Sequence, residues 1–340
     1  MNNYLKFDFI KNSYYPNARN GSAHWLVKNR YLYMFGGSEN DTVYDDFRYY
    51  DLKDNTWYKI EFDEEELTPS ARFGSIFFNY VDKDKNEYLY LMSGFNDSNQ
   101  SLIDIWIYNL KTKKWSNKNE DIPIELKLGA YSSYWCHNKK LYIFGGIDLN
   151  NHGISLNVIN NLIIYDIEKN SVEIIDCNDN VFPDERFNSN FWKADIDDIT
   201  YLYLLNGMNF NKNNKTYQLN DFWRFNTKDL TWEKLSSLPQ NFDNRNSSLI
   251  WKNNQNFIYI FSGINSENDI LDSVWIYDIY NNEFIYDHMS YDENLFRSDS
   301  CVWQLEDETV IIFGGIGCDH HYNDFMRIIT KNKNKFCCLF

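Results

Sequence analysis

Six basic residues, Arg19, Arg72, Lys127, Arg186, Arg245 and Arg297, recur once per fifty-odd residues, each just ahead of an apolar stretch. A guanidinium meets a carboxylate through two parallel N–H donors. Six such groups gathered in one place would therefore take an acidic peptide segment or a chain-terminal carboxylate. Fewer residues suggest catalysis. Cys318, Asp319, His320 and His321 are the one dense set of metal-capable side chains, but consecutive residues splay in direction and an H-x3-H spacing is absent. No metal site and no cofactor is assigned. His24 and His137 fall at unrelated depths of their segments, His152 and His288 fall in connectors, and no nucleophile-elbow motif is present. No catalytic residue is assigned either. Cys337 stands fourth from the end, behind Lys331, Lys333 and Lys335, and fits a C-a-a-X prenylation box with Phe340 in the final place.

Composition narrows the classes. The chain has 340 residues and a formal charge of 33 − 49 = −16, which argues against a nucleic-acid binder, since a phosphate-tracking surface carries excess Lys and Arg. Aromatic residues at 18% are too many for a disordered chain. No run approaches 18 apolar residues, and Lys6, Asp8 and Lys11 interrupt the place of a signal peptide, so a cytoplasmic protein is expected. The six cysteines form no CxxC pair, and reduced thiols are the default.

The elements that must carry these residues follow from an internal repeat. One apolar strand ending in Gly occurs six times: LYMFGG, LYLMSG, LYIFGG, LYLLNG, IYIFSG and VIIFGG, with the last Gly at 37, 94, 146, 207, 263 and 315. Ten to fourteen residues later comes an Asp or Asn followed by alternating large residues, as in DDFRYYDL (45–52) and NDFWRFNT (220–227). Such alternation marks a strand with one packed face. Trp57, Trp115 and Trp232 share a place on a further strand, with Val172 and Phe284 in that place elsewhere. Trp25, Trp192, Trp251 and Trp303 each lie six residues beyond a cation, whereas Trp135 lies eight beyond Lys127. Twelve of 14 Gly and all five Pro punctuate these units.

Four short strands per unit in six units predict a radial all-β propeller, because a lone four-stranded blade buries both faces only against neighbours. The repeat resembles the kelch repeat: Arg-x-Gly, a Tyr-containing strand ending Gly-Gly, a Tyr-Asp strand, then Trp. The resemblance spans essentially the whole chain. It departs where the Gly pair is Ser-Gly or Asn-Gly (units 2, 4 and 5) and where Val172 replaces Trp. It implies a single six-bladed domain over 1–336, with units about 16–62, 69–120, 127–176, 183–236, 243–288 and 295–330, and a Lys-rich tail over 331–340.

A propeller must tie its last blade to its first. YLKFDFI (4–10) matches the fourth strand TWYKIEF (56–62), so residues 1–12 are expected to complete blade 6; the alternative is that Phe336–Phe340 does so. In up-and-down blades the cations and the loops after the Gly strands share one face. A ring of six positive side chains around the channel mouth is therefore expected, and in kelch-like proteins such positions contact partner peptides. The alternative is that these cations are framework. Two loops on that face are long, 147–159 with His152 and 208–219. The expected function is a non-catalytic protein–protein interaction module, a scaffold or substrate-recognition subunit, binding an acidic or C-terminal peptide. The alternatives are a carbohydrate- or metal-dependent enzyme at the same mouth, or a trafficking effector tethered to a membrane through prenylated Cys337.

Overall fold

The pattern of each unit folds locally as its residues dictate. In the first strand of unit 1, Ala23–Val27, alternate side chains are buried. In the second, Tyr31–Phe35, and the third, Phe47–Asp51, aromatic and long apolar side chains fill both faces, since both face a neighbouring blade. The computed structural model describes residues 3–150, 155–175, 181–235 and 237–332. It is a six-bladed propeller with four antiparallel strands in every blade. Blade 1 runs Ala23–Val27, Tyr31–Phe35, Phe47–Asp51 and Thr56–Ile60; blades 2 to 5 repeat it from Ile76–Val81 to Glu283–Tyr286.

Blade 6 comprises Cys301–Gln304, Val310–Phe313, Phe325–Asn332 and, at its outer edge, Asn3–Phe9. The N-terminal strand pairs from Asn3 opposite Asn332 to Phe9 opposite Met326. The fourth place is thus filled by the first strand of the chain, as expected; the alternative, Phe336–Phe340, lies outside the described residues. Strand Phe325–Asn332 also extends two residues into the stretch read as tail. Cys337 and His152 lie outside the described residues.

The core is distributed as six layers, one between each pair of adjacent blades. The two families of Trp serve opposite neighbours. On first strands, Trp25 Nε1 donates to the Tyr90 carbonyl of blade 2 (3.2 Å), Trp135 to that of Trp192 in blade 4 (2.9 Å) and Trp303 to that of Trp25 in blade 1 (3.2 Å). On fourth strands, Trp57 packs back on Phe313 of blade 6, Trp115 on Phe35 of blade 1 and Trp232 on Phe144 of blade 3. Blades 1, 3 and 6 are thus clipped forward by an indole N–H, and blades 1, 2 and 4 backward by an indole face. Truncating one of these rings to Ala would cost about 3–5 kcal/mol.

Candidate functional site

The arginines come first, and they are not where a ligand would find them. Arg19, Arg72, Arg186, Arg245 and Arg297 are all at most 2% exposed. Arg72 is representative: Nη1 donates to Asp104 Oδ1 (2.6 Å) and to the Ser93 carbonyl (3.2 Å), Nη2 to Asp104 Oδ2 (2.8 Å) and Nε to the Ser70 carbonyl (3.0 Å). Arg186 repeats this with Asp221, Asn206 and Asp184, Arg19 with Asp46, Gly36 and Asn17, and Arg297 with Asp324, Gly314 and Leu295. Tyr rings cover two of them, Tyr44 at 4.1 Å from Arg19 and Tyr322 at 3.8 Å from Arg297. Burial alone would raise the Asp46 and Asp221 carboxyls. The guanidinium beside each outweighs it and holds both below the ordinary carboxylate range.

The expected ring of solvent-facing cations is therefore corrected: these five side chains are locks within the blades. Each joins the connector that carries it to the end of the second strand and to the acid that opens the third. Blade 5 is a partial exception. Ser273 stands where blades 1, 2, 4 and 6 have Asp, and Arg245 Nη2 donates to its Oγ (2.7 Å). Burial without a carboxylate lowers the Arg245 guanidinium to about 10.

Lys127 is corrected as well. It is exposed and two residues out of register. Ser132 and Trp135 keep the spacing that Ser22 and Trp25 keep to Arg19, which puts Gly129 in the cation place. The Trp135 spacing of eight was the sign of it. Asn161 holds the matching acid place, so blade 3 has lost cation and anion together.

The channel wall is built from three rings of side chains around a cavity of about 340 Å³. The outermost positions are Gly21, Gly74, Tyr131, Asn188, Ser247 and Asp299, all at φ between +52° and +66°. That conformation lets the backbone link blade to blade: Gly74 N–H to Gly21 O (2.9 Å), Tyr131 to Gly74 (2.8 Å), Asn188 to Tyr131 (2.8 Å), Asp299 to Ser247 (3.1 Å) and Gly21 to Asp299 (3.0 Å). Next inward is a serine in every blade: Ser22, Ser75, Ser132, Ser189, Ser248 and Ser300. Each Oγ donates 2.8–3.2 Å to the carbonyl just before the final Gly of the second strand. That contact explains one glycine. Gly37 has φ +93°, and a Cβ there would overlap Ser22 Oγ. The serine ring escaped the sequence reading although Ser lies three residues beyond every arginine. Because each hydroxyl proton is spent on the framework, the ring offers only lone pairs to an occupant. The wall suits hydrogen-bond donors, and anions poorly.

His24 belongs to the innermost ring. Its Nε2 accepts from the Val302 N–H (3.2 Å), so Nδ1 must carry the proton and donate to the Ser22 carbonyl (3.1 Å). Burial lowers it to about 4, and both nitrogens are used at the seam between blades 6 and 1. His137, by contrast, is bound to its neighbour Asn138 (2.8 Å) on the opposite face, and His320 packs on Tyr322 (4.4 Å). Among the described residues no three His, Cys, Asp or Glu side chains converge as a metal site. No helix among them is long and apolar enough to cross a membrane.

A bar crosses the mouth. Tyr131 of blade 3 extends over Gly74, where a Cβ would lie 2.8 Å from its ring, and its hydroxyl hydrogen-bonds Asp299 of the opposite blade 6. Asn20 Nδ2 also donates to Asp299 Oδ2 (3.0 Å). Burial nevertheless raises the carboxyl to about 6. Around the bar the rim is two-sided. Over blades 2 to 4, Phe73, Phe95, Ile147, Phe187, Met208 and Phe210 form an apolar cluster with Tyr131. Over blades 5, 6 and 1 the corresponding connectors carry Asn246 and Ser298, both buried, and Asn20; these are bridged to Ile264, Ile316 and Ser38 respectively. The long loop 208–219 forms a hairpin of Met208–Phe210 with Thr216–Gln218. The loop 147–159 likewise pairs Ile147–Asn150 with Ser155–Val158.

No curated protein matches the chain. One family model does, the Attractin/LZTR1 beta-propeller, over residues 3–189. The matched stretch takes in the closing strand and the whole of blades 1 to 3, and it agrees with the kelch-type repeat and with the six blades observed. With more than half of its length matched, the chain belongs to the Attractin/LZTR1 beta-propeller family.

Proposed function

We propose that this chain is a non-catalytic protein-interaction module, a scaffold or substrate-recognition subunit, that receives its partner on the loop face over the channel mouth. The observation that carries the reading is the two-sided rim. The apolar shelf of Phe73, Met208 and Phe210, all partly exposed, adjoins acceptors in the Ser ring and Asp299. A partner segment with one large apolar side chain and an adjacent hydrogen-bond donor fits it. The side chains with reactive character support the same reading by their employment: the arginines are consumed by carboxylates and carbonyls, His24 by two backbone groups, and Cys301 is buried with its thiol pushed up. An acidic peptide on the arginine ring, the sharper form of the expectation, has lost its carrier.

The test is cross-linking of the tagged chain in its source cells, followed by mass spectrometry. Met208→Ser with Phe210→Ser should remove proteins that the wild type and a Tyr280→Ser control retain. Tyr280 is 64% exposed on the other face. An unchanged protein set from the folded double variant contradicts the reading.

A further inference from the structure

The opposite face carries a second concavity. Between blades 1 and 2 lies a groove of about 660 Å³. Its floor on blade 1 is a row of tyrosines in cross-strand register, Tyr33 opposite Tyr49 and Tyr49 opposite Tyr58. Their rings stand 5.3 and 5.0 Å apart, the outer pair stacked at 19°. Blade 2 contributes Tyr108, which is only 2% exposed yet reaches the groove. The hydroxyls of Tyr33, Tyr49 and Tyr108 have no hydrogen-bond partner among the described residues, and none of them is a fully buried orphan, so they are open to the groove.

The rim is basic on a strongly acidic protein. Lys28, Lys59, Lys85, Lys111 and Lys113 border the groove against a single lining carboxylate, Glu87. Of these five, only Lys59 has an ion-pair partner among the described residues, Glu61 at 2.9 Å. Lys113 sits at φ +59°, a turn position where blades 1, 3 and 5 place Asn55, Asn170 and Asn282. The lysines are not clustered at one point. Lys28 and Lys85 follow the innermost strands of their blades, whereas Lys59 lies on, and Lys111 and Lys113 lie beside, the outermost. Three strand spacings separate those levels, roughly 14 Å. A small anion is met by cations that converge, whereas cations spread along a radius meet spaced charges. An extended chain advances about 3.3 Å per residue, so about four or five residues span the groove.

We propose that this groove binds a short extended acidic peptide segment of a protein partner, its carboxylates reaching the lysines and tyrosine hydroxyls while its backbone lies on the tyrosine row. This rests on the interaction-module reading and gives the acidic ligand a site remote from the arginines.

The experiment is fluorescence anisotropy of the full chain with fluorescein-labelled hexaglutamate at low and physiological salt, with hexaglutamine as the control peptide. Hexaglutamate is expected to bind, more weakly as salt rises, and hexaglutamine at least tenfold more weakly. Lys59→Glu with Lys111→Glu, both on exposed positions, should weaken binding tenfold or more, and Tyr108→Phe, which removes only the unpartnered hydroxyl, several-fold. Equal binding of the two peptides overturns the proposal, as does unchanged binding by the folded lysine variant. Complete displacement by millimolar citrate at constant ionic strength would overturn it in favour of a small-anion site. Met208→Ser with Phe210→Ser should leave hexaglutamate binding intact, so failure of the groove and failure of the loop-face reading are read separately.

Discussion

Blades 3 and 4 are neighbours with the same four strands, and they differ where the sequence seemed most functional. Blade 4 holds Arg186 buried, clamped on Asp221 and on the Asn206 carbonyl. Blade 3 has Gly129 and Asn161 in those places, yet it keeps Ser132 in the ring and Trp135 in its indole bond to blade 4. Loss of both charges together, with the blade intact, is the behaviour of an internal lock: either partner alone would leave a buried charge uncompensated. A ligand-binding cation would have no reason to vanish with a carboxylate more than thirty residues away. The apolar half of the mouth is centred on the unlocked blade, through Tyr131 and Ile147.

The comparison can be broken in order of effect. The locks act within blades, and the ring itself is closed by strand pairing. Deleting residues 1–9 removes seven paired positions from blade 6 and should abolish cooperative unfolding by circular dichroism. A retained sharp transition would mean that locks and inter-blade packing hold the disc without closure. Next, Asp221→Ala strands the Arg186 charge and should cost about 3–5 kcal/mol in urea unfolding. Arg186→Met with Asp221→Leu should regain most of it; additive losses would show that the pair is not a lock.

The bar at the mouth offers a pH-dependent test. The Asp299 carboxyl is raised from the ordinary 3.8 to about 6 in the folded chain. Folding therefore takes up a proton between those values, and this group's contribution to stability falls as pH rises through them. Asp299→Asn should melt higher than wild type at pH 8, by on the order of 1–3 kcal/mol, with the gap closing near pH 4. A constant gap would show that the carboxyl titrates normally. The smallest effect sharpens the blade comparison directly. Ser273→Asp supplies blade 5 with the missing acid beside Arg245 and should raise stability by about 1 kcal/mol, and a loss would mean that the serine geometry cannot admit a carboxylate.

The architecture was legible because a propeller blade is a local object: strand alternation, the terminal Gly and the two Trp families all lie within fifty-odd residues. Closure was legible for the same reason, from the likeness of 4–10 to 56–62. The site was harder to read. An Arg-x-Gly triplet states that a cation is needed but not which way it faces, and the acids that answer it, Asp46, Asp104, Asp221 and Asp324, lie 27–35 residues later. They stood in plain view at the head of the third strand, one for every arginine except Arg245. The groove between blades 1 and 2 was invisible because its tyrosines and lysines belong to different repeats and meet only through the radial packing.

Phenylglyoxal labelling of the folded protein, read by peptide mass spectrometry, tests the central claim most directly. Arg30, whose side chain is 35% exposed, should be modified. Arg19, Arg72, Arg186, Arg245 and Arg297 should stay unmodified until denaturant is added. Modification of those five in the folded chain at the rate of Arg30 would contradict the account and return the arginines to the channel mouth as ligand contacts.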